Sequence, residues 1–233
     1  MEDLMKPLQR KVAYGKLKEH PLGDTERAQF EAARFMGQIS YDAIKGSLPH
    51  VNATMEYLQG VAKVVSEENK PIKWTTPSGF PVVQEYRRKK RREVRIFLFD
   101  RSLQKRTRHK VSLAQETSSI DVQKSTNAIA PNFIHGSGDS SHMHLTICHM
   151  LDNGLAEDFF MIHDSFSMSG DTWDLFDGVR ETFVNMFDGD CILQKFEDEV
   201  RQQLSDPNAV LPTMPAKGTL DIQQVKGSEF CFS

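Results

Sequence analysis

The residues best placed to do chemistry sit at the end of an apolar run. Phe159-Phe160-Met161-Ile162 leads directly into His163-Asp164-Ser165-Phe166. Four apolar residues in a row, with Gly154 upstream and Ser165, Ser167 and Ser169 downstream, predict a short buried strand. Such a strand delivers an imidazole and a carboxylate to the place where a core meets solvent. A carboxylate buried without a partner is costly, so Asp164 belongs at a strand end or turn, or facing a cation. Two readings follow: a solvated turn aspartate, or a metal ligand on a rigid strand.

A second kind of chemistry is carried by charge. Arg87-Arg88-Lys89-Lys90-Arg91-Arg92 is an unbroken basic run, and Arg95 follows closely. Residues 87–110 hold twelve Lys and Arg against Glu93 and Asp100, a local +10 that leaves −13 for the rest of a chain of net charge −3. The run reads as a solvated face, a nuclear-localisation signal or a phosphate-binding surface. The phosphate reading is preferred, because a basic band on an acidic body suits a polyanion at one face. Five histidines (His135, His142, His144, His149, His163) and Cys148 invite a zinc reading, but no paired Cys/His knuckle supports it.

Several stretches, in order, resemble the phage-type single-subunit RNA polymerases. Ile162-His163-Asp164-Ser165-Phe166 resembles that family's third conserved palm motif. The segment from Trp74 through Pro77, Gly79-Phe80-Pro81 and Gln84-Glu85-Tyr86 resembles the lead into its specificity hairpin. Ile129-Ala130-Pro131-Asn132-Phe133-Ile134-His135 and Val179-Arg180-Glu181-Thr182-Phe183 resemble its next blocks. Met214-Pro215-Ala216-Lys217-Gly218 and the final Phe230-Cys231-Phe232-Ser233 resemble its closing block and aromatic foot. Near the start, Lys6 lies eight residues before Tyr14-Gly15, as in the family's fingers helix. Glu2 stands where the family carries arginine, and Pro7 is unusual there.

The resemblance implies a DNA-directed RNA polymerase that joins nucleotides on a DNA template with two magnesium ions. It implies Asp164 as a metal ligand, Lys6 at the nucleotide phosphates and Tyr14 at the incoming nucleotide. It implies His135 and His163 at the primer end, and Arg87, Arg88, Lys89, Lys90, Arg91, Arg92 and Arg95 at DNA. Arg95, Arg101, Gln104 and Arg106 are the candidates for reading bases. The expected partners are double-stranded promoter or template DNA, RNA product and nucleoside triphosphates. The family uses two metal-binding aspartates, and the earlier motif is not found here. Gly136-Ser137-Gly138-Asp139 has small residues but no preceding strand. The ions are therefore expected to be shared with a missing aspartate supplied by a second polymerase chain, this chain being inactive alone. The alternative is a non-catalytic nucleic-acid-binding remnant.

The elements that must position these groups follow from pattern. A helix is expected over residues 1–20, ending before Pro21. Asp24 or Thr25 caps the next, with Phe30, Ala33, Phe35 and Met36 on its apolar face. After Pro49 the helix restarts at Asn52 or Thr54, and Met55, Leu58, Val61, Ala62 and Val65 form a core stripe. Strands are expected over 72–75 and 80–86 around a Pro77-Ser78-Gly79 turn, and in the Arg95–Phe99 region. Polar residues 105–128 form a hairpin return or a loop. Helices are expected over 138–152 and 171–204, the latter capped by Asp171 and interrupted at Gly189-Asp190. The fold class is α+β: a small antiparallel palm sheet backed by helices, with a projecting basic β-hairpin. The expected regions are a helical fingers-like segment (1–70), a strand region with the basic hairpin (71–130) and a palm segment with the foot (131–233).

The 233 residues, 39% hydrophobic and 26% charged, can bury a real core. Three cysteines argue against a disulfide framework and for a reducing compartment. No apolar run approaches the roughly 18 residues that span a membrane. A cytoplasmic setting is expected, by resemblance that of a phage-infected bacterial host.

Overall fold

The computed structural model describes residues 25–100, 104–162, 165–206 and 208–229. The helix expected over 1–20 and the aromatic end at 230–233 lie outside them. The chain divides into two units, Met1–Thr54 and Met55–Ser233.

In the first unit, helix α1 (Glu26–Ser47) starts at Thr25, whose hydroxyl accepts the Ala28 N–H at 3.2 Å. This satisfies one of the amides that a helix start leaves unpaired. Of the expected apolar face only Ala33 is buried; Phe30, Phe35 and Met36 are exposed. A single helix buries an apolar stripe only against a second layer, and among the described residues of this unit none covers it. The next helix, α2 (Pro49–Glu67), begins at Pro49 rather than at Asn52 or Thr54. Proline suits a first helical position, where its missing N–H is not needed.

In the second unit the predicted stripe of α2 enters the core: Leu58, Val61, Ala62 and Val65 are buried, and Met55 packs against them. Asn69, in the left-handed region at φ 59°, ends the helix turn before Pro71. Strands β1 (Ile72–Thr75) and β2 (Pro81–Gln84) pair antiparallel, Trp74 opposite Val82. Strand β2 is shorter than expected because Phe80 belongs to the turn. Its N–H donates to the Thr76 hydroxyl at 3.0 Å, and its carbonyl accepts the Thr76 N–H at 2.9 Å.

Strands β3 (Arg87–Asp100) and β4 (Lys105–Ile120) form a long antiparallel ribbon, so the polar return is a strand. Helix α3 (Val122–Ile134) follows, which the sequence pattern does not predict. Asp121 caps it by accepting the Lys124 N–H at 3.1 Å. It runs into a π-helical turn, His135–Asp139, and then helix α4 (Ser140–Asp152). The third strand pair is β5 (Phe159–Ile162) with β6 (Ser165–Met168). The expectation of a buried strand at 159–162 is corrected here. Phe160 is 67% and Ile162 54% exposed, because a two-stranded pair covers only alternate residues. Helices α5 (Thr172–Asp188) and α6 (Ile192–Gln203) divide at the expected Gly189-Asp190, and Asp171 caps α5 at the Trp173 N–H. A short 3-10 helix, Ile222–Gly227, packs on α5. The fold is α+β, with small antiparallel sheets backed by helices. Among the described residues no helix is long and apolar enough to cross a membrane.

The core centres on Trp74 of β1. Its ring lies 5.9 Å from Phe133 of α3 and 6.0 Å, edge-on, from Phe196 of α6; the two phenylalanines are 4.9 Å apart. Its indole N–H donates to the buried Ser137 hydroxyl at 3.1 Å. Tyr57 of α2 donates to Glu197 at 2.7 Å, and Arg201 holds the same carboxylate. Burial and that carboxylate push the Tyr57 phenol well above its usual range. Helices α4 and α5 approach closely at Gly178, where an added Cβ would lie 2.6 Å from the Met150 sulfur.

Trp74→Ala is expected to lower unfolding free energy by about 3–5 kcal/mol, read as a lower urea midpoint. Trp74→Phe should lose less but still strand the Ser137 hydroxyl, at about 1–3 kcal/mol. A second expectation concerns acid. Buried His142 donates its Nε2–H to the Val179 carbonyl at 2.8 Å, since a carbonyl only accepts. Burial holds its pKa below the ordinary value. The unfolded chain therefore takes up a proton, near the usual histidine pKa of about 6.5, before the folded one does. Its stabilising contribution is complete above that pH and is lost as pH falls through the lower folded pKa. Urea midpoints measured from pH 7.5 to 5 should fall, and His142→Gln should flatten the profile.

Candidate nucleic-acid interface

The ribbon is rooted in the core. Ile120 at the end of β4 is buried, and its N–H donates to Asn69 Oδ1 at 2.7 Å. Asn69 Nδ2 reaches the Ser118 carbonyl at 3.3 Å. The Asp121 N–H donates to the Tyr86 carbonyl at 2.7 Å, closing the ribbon on α3. The residue that breaks α2 thus also clamps the return strand, a role its sequence context does not reveal.

Pleating decides where the charges go. From Lys89 to Asp100 each β3 residue faces one of β4, after an irregularity between Arg87 and Lys89. Alternate residues share a face. One face carries Lys89, Arg91 and Arg95 from β3 with Arg106, Arg108 and Lys110 from β4, against Glu93 and Glu116. The ion pairs Lys89–Glu116 (3.7 Å) and Lys110–Glu93 (3.8 Å) lie on it. Phe97 and Phe99 complete it and are exposed. The opposite face has an aliphatic strip, Val94, Ile96, Leu98, Val111 and Leu113, with Lys90, Arg92 and Lys105. The basic run does not act as one patch, because half of it points each way. Arg87 is instead paired with Glu85. Arg95 and Arg106 share the charged face, Gln104 opens β4's turn at φ 47°, and Arg101 lies outside the described residues.

A cleft of about 370 Å³ lies beside the ribbon root, lined by Trp74, Gln84, Tyr86, Asn132 and His135 among others. Asn132 donates to Gln84 Oε1 at 2.8 Å and to the Tyr86 hydroxyl at 3.1 Å. On helix α3 the stretch from Ile129 to His135 splits by face: Ile129, Ala130 and Phe133 enter the core, while Asn132 and His135 line the cleft. His135 is exposed, with Nδ1 3.0 Å from Asp139. The small-residue segment Gly136–Asp139 is therefore helical, and its Ser137 serves Trp74.

Of the other predicted residues, Lys6, Tyr14, His163 and Asp164 lie outside the described residues; β5 ends at Ile162 and β6 starts at Ser165. The remaining histidines go to separate partners. His142 meets Val179, His144 Nδ1 lies 3.4 Å from the Ser78 hydroxyl, and His149 Nε2 lies 3.7 Å from Glu181. Among the described residues no three His, Cys, Asp or Glu gather as a metal site. The Val179–Phe183 block holds helices together. Val179 accepts from His142, Thr182 meets Thr146 at 2.9 Å, and Arg180 lies over Phe176 and reaches the Lys226 and Ser228 carbonyls.

The family model of DNA-dependent RNA polymerase matches residues 8–211. The chain belongs to the DNA-dependent RNA polymerase family. It is 31% identical over 217 residues to the DNA-directed RNA polymerase of Enterobacteria phage K11, covering 87% of this chain and 23% of that protein. It is 30% identical to T7 RNA polymerase of Escherichia phage T7, covering 87% and 24%. It is 32% identical to the chloroplastic DNA-directed RNA polymerase 3 of Nicotiana sylvestris, covering 94% and 21%. The chain thus spans about a quarter or less of the length of these curated polymerases. The polymerase match includes Tyr14, the ribbon, His135, His163 and Asp164, and begins after Lys6.

The two faces of the polymerase ribbon should behave differently toward a polyanion. Neutralising Arg91, Arg95, Arg106 and Arg108 should lower the slope of log affinity against log salt by about 0.9 for each phosphate no longer neutralised. Neutralising Lys90 and Arg92 should change it less. The measurement is fluorescence anisotropy of labelled duplex DNA across salt; equal effects would mean that the faces are not distinguished.

Proposed function

We propose that these residues form the carboxyl-terminal part of a DNA-directed RNA polymerase and take part in template-directed nucleotidyl transfer. The observation that carries this is the family match over residues 8–211, within which the sequence holds a rooted, two-stranded basic ribbon. The ribbon, with Arg87, Arg88, Lys89, Lys90, Arg91, Arg92 and Arg95, is the DNA-binding element, for promoter or template duplex. Cations on one face displace counterions from the phosphate backbone, and arginine on the same face can read guanine in a major groove wide enough for a β-ribbon.

Asp164 is the proposed magnesium ligand. The ions would supply charge stabilisation at the attacking and leaving oxygens. Among the described residues no cluster could take them, and the sequence holds no counterpart of the family's first aspartate motif, so the second carboxylate is assigned to further polymerase sequence, on the same or a second chain. Lys6 and Tyr14 are assigned to the nucleoside triphosphate, and His163 and His135 to the end of the RNA. The cleft that His135 shares with Asn132 and Tyr86 supports the last of these, because it offers hydrogen-bonding groups beside the ribbon root. The proposed setting is the bacterial host cytoplasm during infection; relatives from phages support it, and those from plant chloroplasts and mitochondria define the alternative.

Primer extension tests this reading. The 233 residues alone should extend no primer. Addition of a polypeptide bearing the family's first aspartate motif should restore extension, and Asp164→Asn in that mixture should abolish it without altering the fold, since an amide is a poor magnesium ligand. Near-normal extension by the Asp164→Asn mixture would remove the metal role. Intact DNA binding without any restorable extension would favour a non-catalytic nucleic-acid-binding remnant.

A further inference from the structure

The charged face of the ribbon holds more than charge. Phe97 and Phe99 lie on it two positions apart, 65% and 58% exposed. Neither ring packs on another aromatic ring among the described residues. Exposed phenylalanine costs solubility, and a strand tip with two of them on its solvated face calls for a ligand. Each has an arginine directly across the ribbon: Arg108 faces Phe97 and Arg106 faces Phe99. Cross-strand neighbours stand about 5 Å apart, so the four side chains make one patch. Arg95 and Lys110 form the next pair toward the root.

Spacing identifies what the patch fits. Alternate residues of a strand lie about 6.8 Å apart. That is twice the roughly 3.4 Å rise per nucleotide of a DNA strand. Two rings rooted at this spacing can turn to take one flat base between them, with guanidinium groups across the ribbon for the phosphates. A base within a duplex cannot enter, because both its faces are covered by its neighbours. Aromatic platforms lined by cations are the physical solution for unpaired strands.

We infer that Phe97 and Phe99, flanked by Arg106 and Arg108, form a slot for one unpaired base of single-stranded DNA. This rests on the reading of the ribbon as a DNA-binding element. It divides the charged face by residue type: the cations along its length serve the duplex backbone, and the two rings at the tip capture a base of an opened strand. From Lys89 to Phe99 the ribbon extends about 33 Å, roughly ten base pairs of duplex.

The test uses the 233-residue chain and one labelled sequence in three forms: single-stranded DNA, the same sequence as duplex, and single-stranded RNA. Phe97→Ala with Phe99→Ala should weaken single-stranded DNA binding by roughly 5- to 150-fold, the range of one missing base stack. Duplex affinity and the salt slope should stay as in the parent, since no charge is removed. Leucine at both positions keeps apolar surface without a flat ring and should weaken binding as alanine does. A 2-aminopurine base in the DNA strand should be quenched by the parent chain and not by either variant. Circular dichroism checks that these exposed substitutions leave the fold intact.

Equal losses on duplex and single strand, or rescue by leucine, would overturn the slot. RNA binding as tight as DNA binding would overturn the assignment to DNA. Unchanged affinity in the phenylalanine variants, alongside weakened binding when the arginines of the charged face are neutralised, would remove the slot and leave the basic ribbon standing. Failure of the parent to bind any of the three would remove both.

Discussion

The second unit depends on one buried indole. Trp74 is the point at which β1, α3 and α6 meet, and its ring touches an aromatic from each helix. Its N–H would be costly to bury alone, and Ser137 supplies the acceptor. That acceptor comes from the π-helical turn between α3 and α4. The turn therefore does two things: it redirects the chain, and it satisfies the core's largest polar handle. The same packing fixes β1, and β1 fixes β2 by backbone pairing. Gln84 at the end of β2 then donates to the Ser125 carbonyl and accepts from Asn132. The ribbon begins three residues later. Its direction is set by a chain of contacts that starts at Trp74.

Much of this was legible in the sequence, for identifiable reasons. The α2 stripe, the break at Gly189-Asp190, and the Asp171 and Thr25 caps are local signals, and local signals act where they are written. The family resemblance was carried by ordered blocks, and the polymerase match covers most of the same span. What stayed hidden was tertiary. Helix α3 is preceded by a polar strand and contains Pro131, so its periodicity is short and its interior carries a helix breaker. The exposure of Phe160 and Ile162 could not be read from an apolar run, because such a run does not say how many layers cover it. For the candidate site, the basic run was visible and its division between two faces was not. That division needs the register of β4, a separate strand beyond the turn. The residues proposed for metal and nucleotide lie outside the described structure, so their placement rests on sequence alone.

Alternation imposes a limit on what a basic run can do. Six consecutive cations on a helix would spread around its surface, and on a loop they could gather. On a ribbon they are sorted by parity, as Lys89 to Arg92 are beyond the irregularity at Arg87. The charged face recovers its density from the partner strand, where Arg106, Arg108 and Lys110 fall in register with Phe99, Phe97 and Arg95. The opposite face gives up charge for an aliphatic strip, of which Val94, Ile96 and Val111 are only partly exposed. A two-stranded ribbon is marginal by itself in water. The strip gives cross-strand apolar pairs that favour pairing, while the other face keeps most of the charge. The two demands are separated by pleat rather than by distance.

Strands β5 and β6 meet the same marginality without such a strip. This pair has four residues in each strand, and Phe160 and Ile162 lie exposed on one face of β5. Burying two such side chains would contribute about 3–6 kcal/mol, comparable to what so short a pair gains from its own backbone bonds. A metal ligand following β5 needs a strand that does not move, since coordination geometry tolerates only small displacements. Under the proposed assignment of Asp164, any surface that buried Phe160 and Ile162 would lie against the strand that leads to the proposed ligand. Such a surface would steady β5, and on the proposed assignment metal binding would then be coupled to assembly.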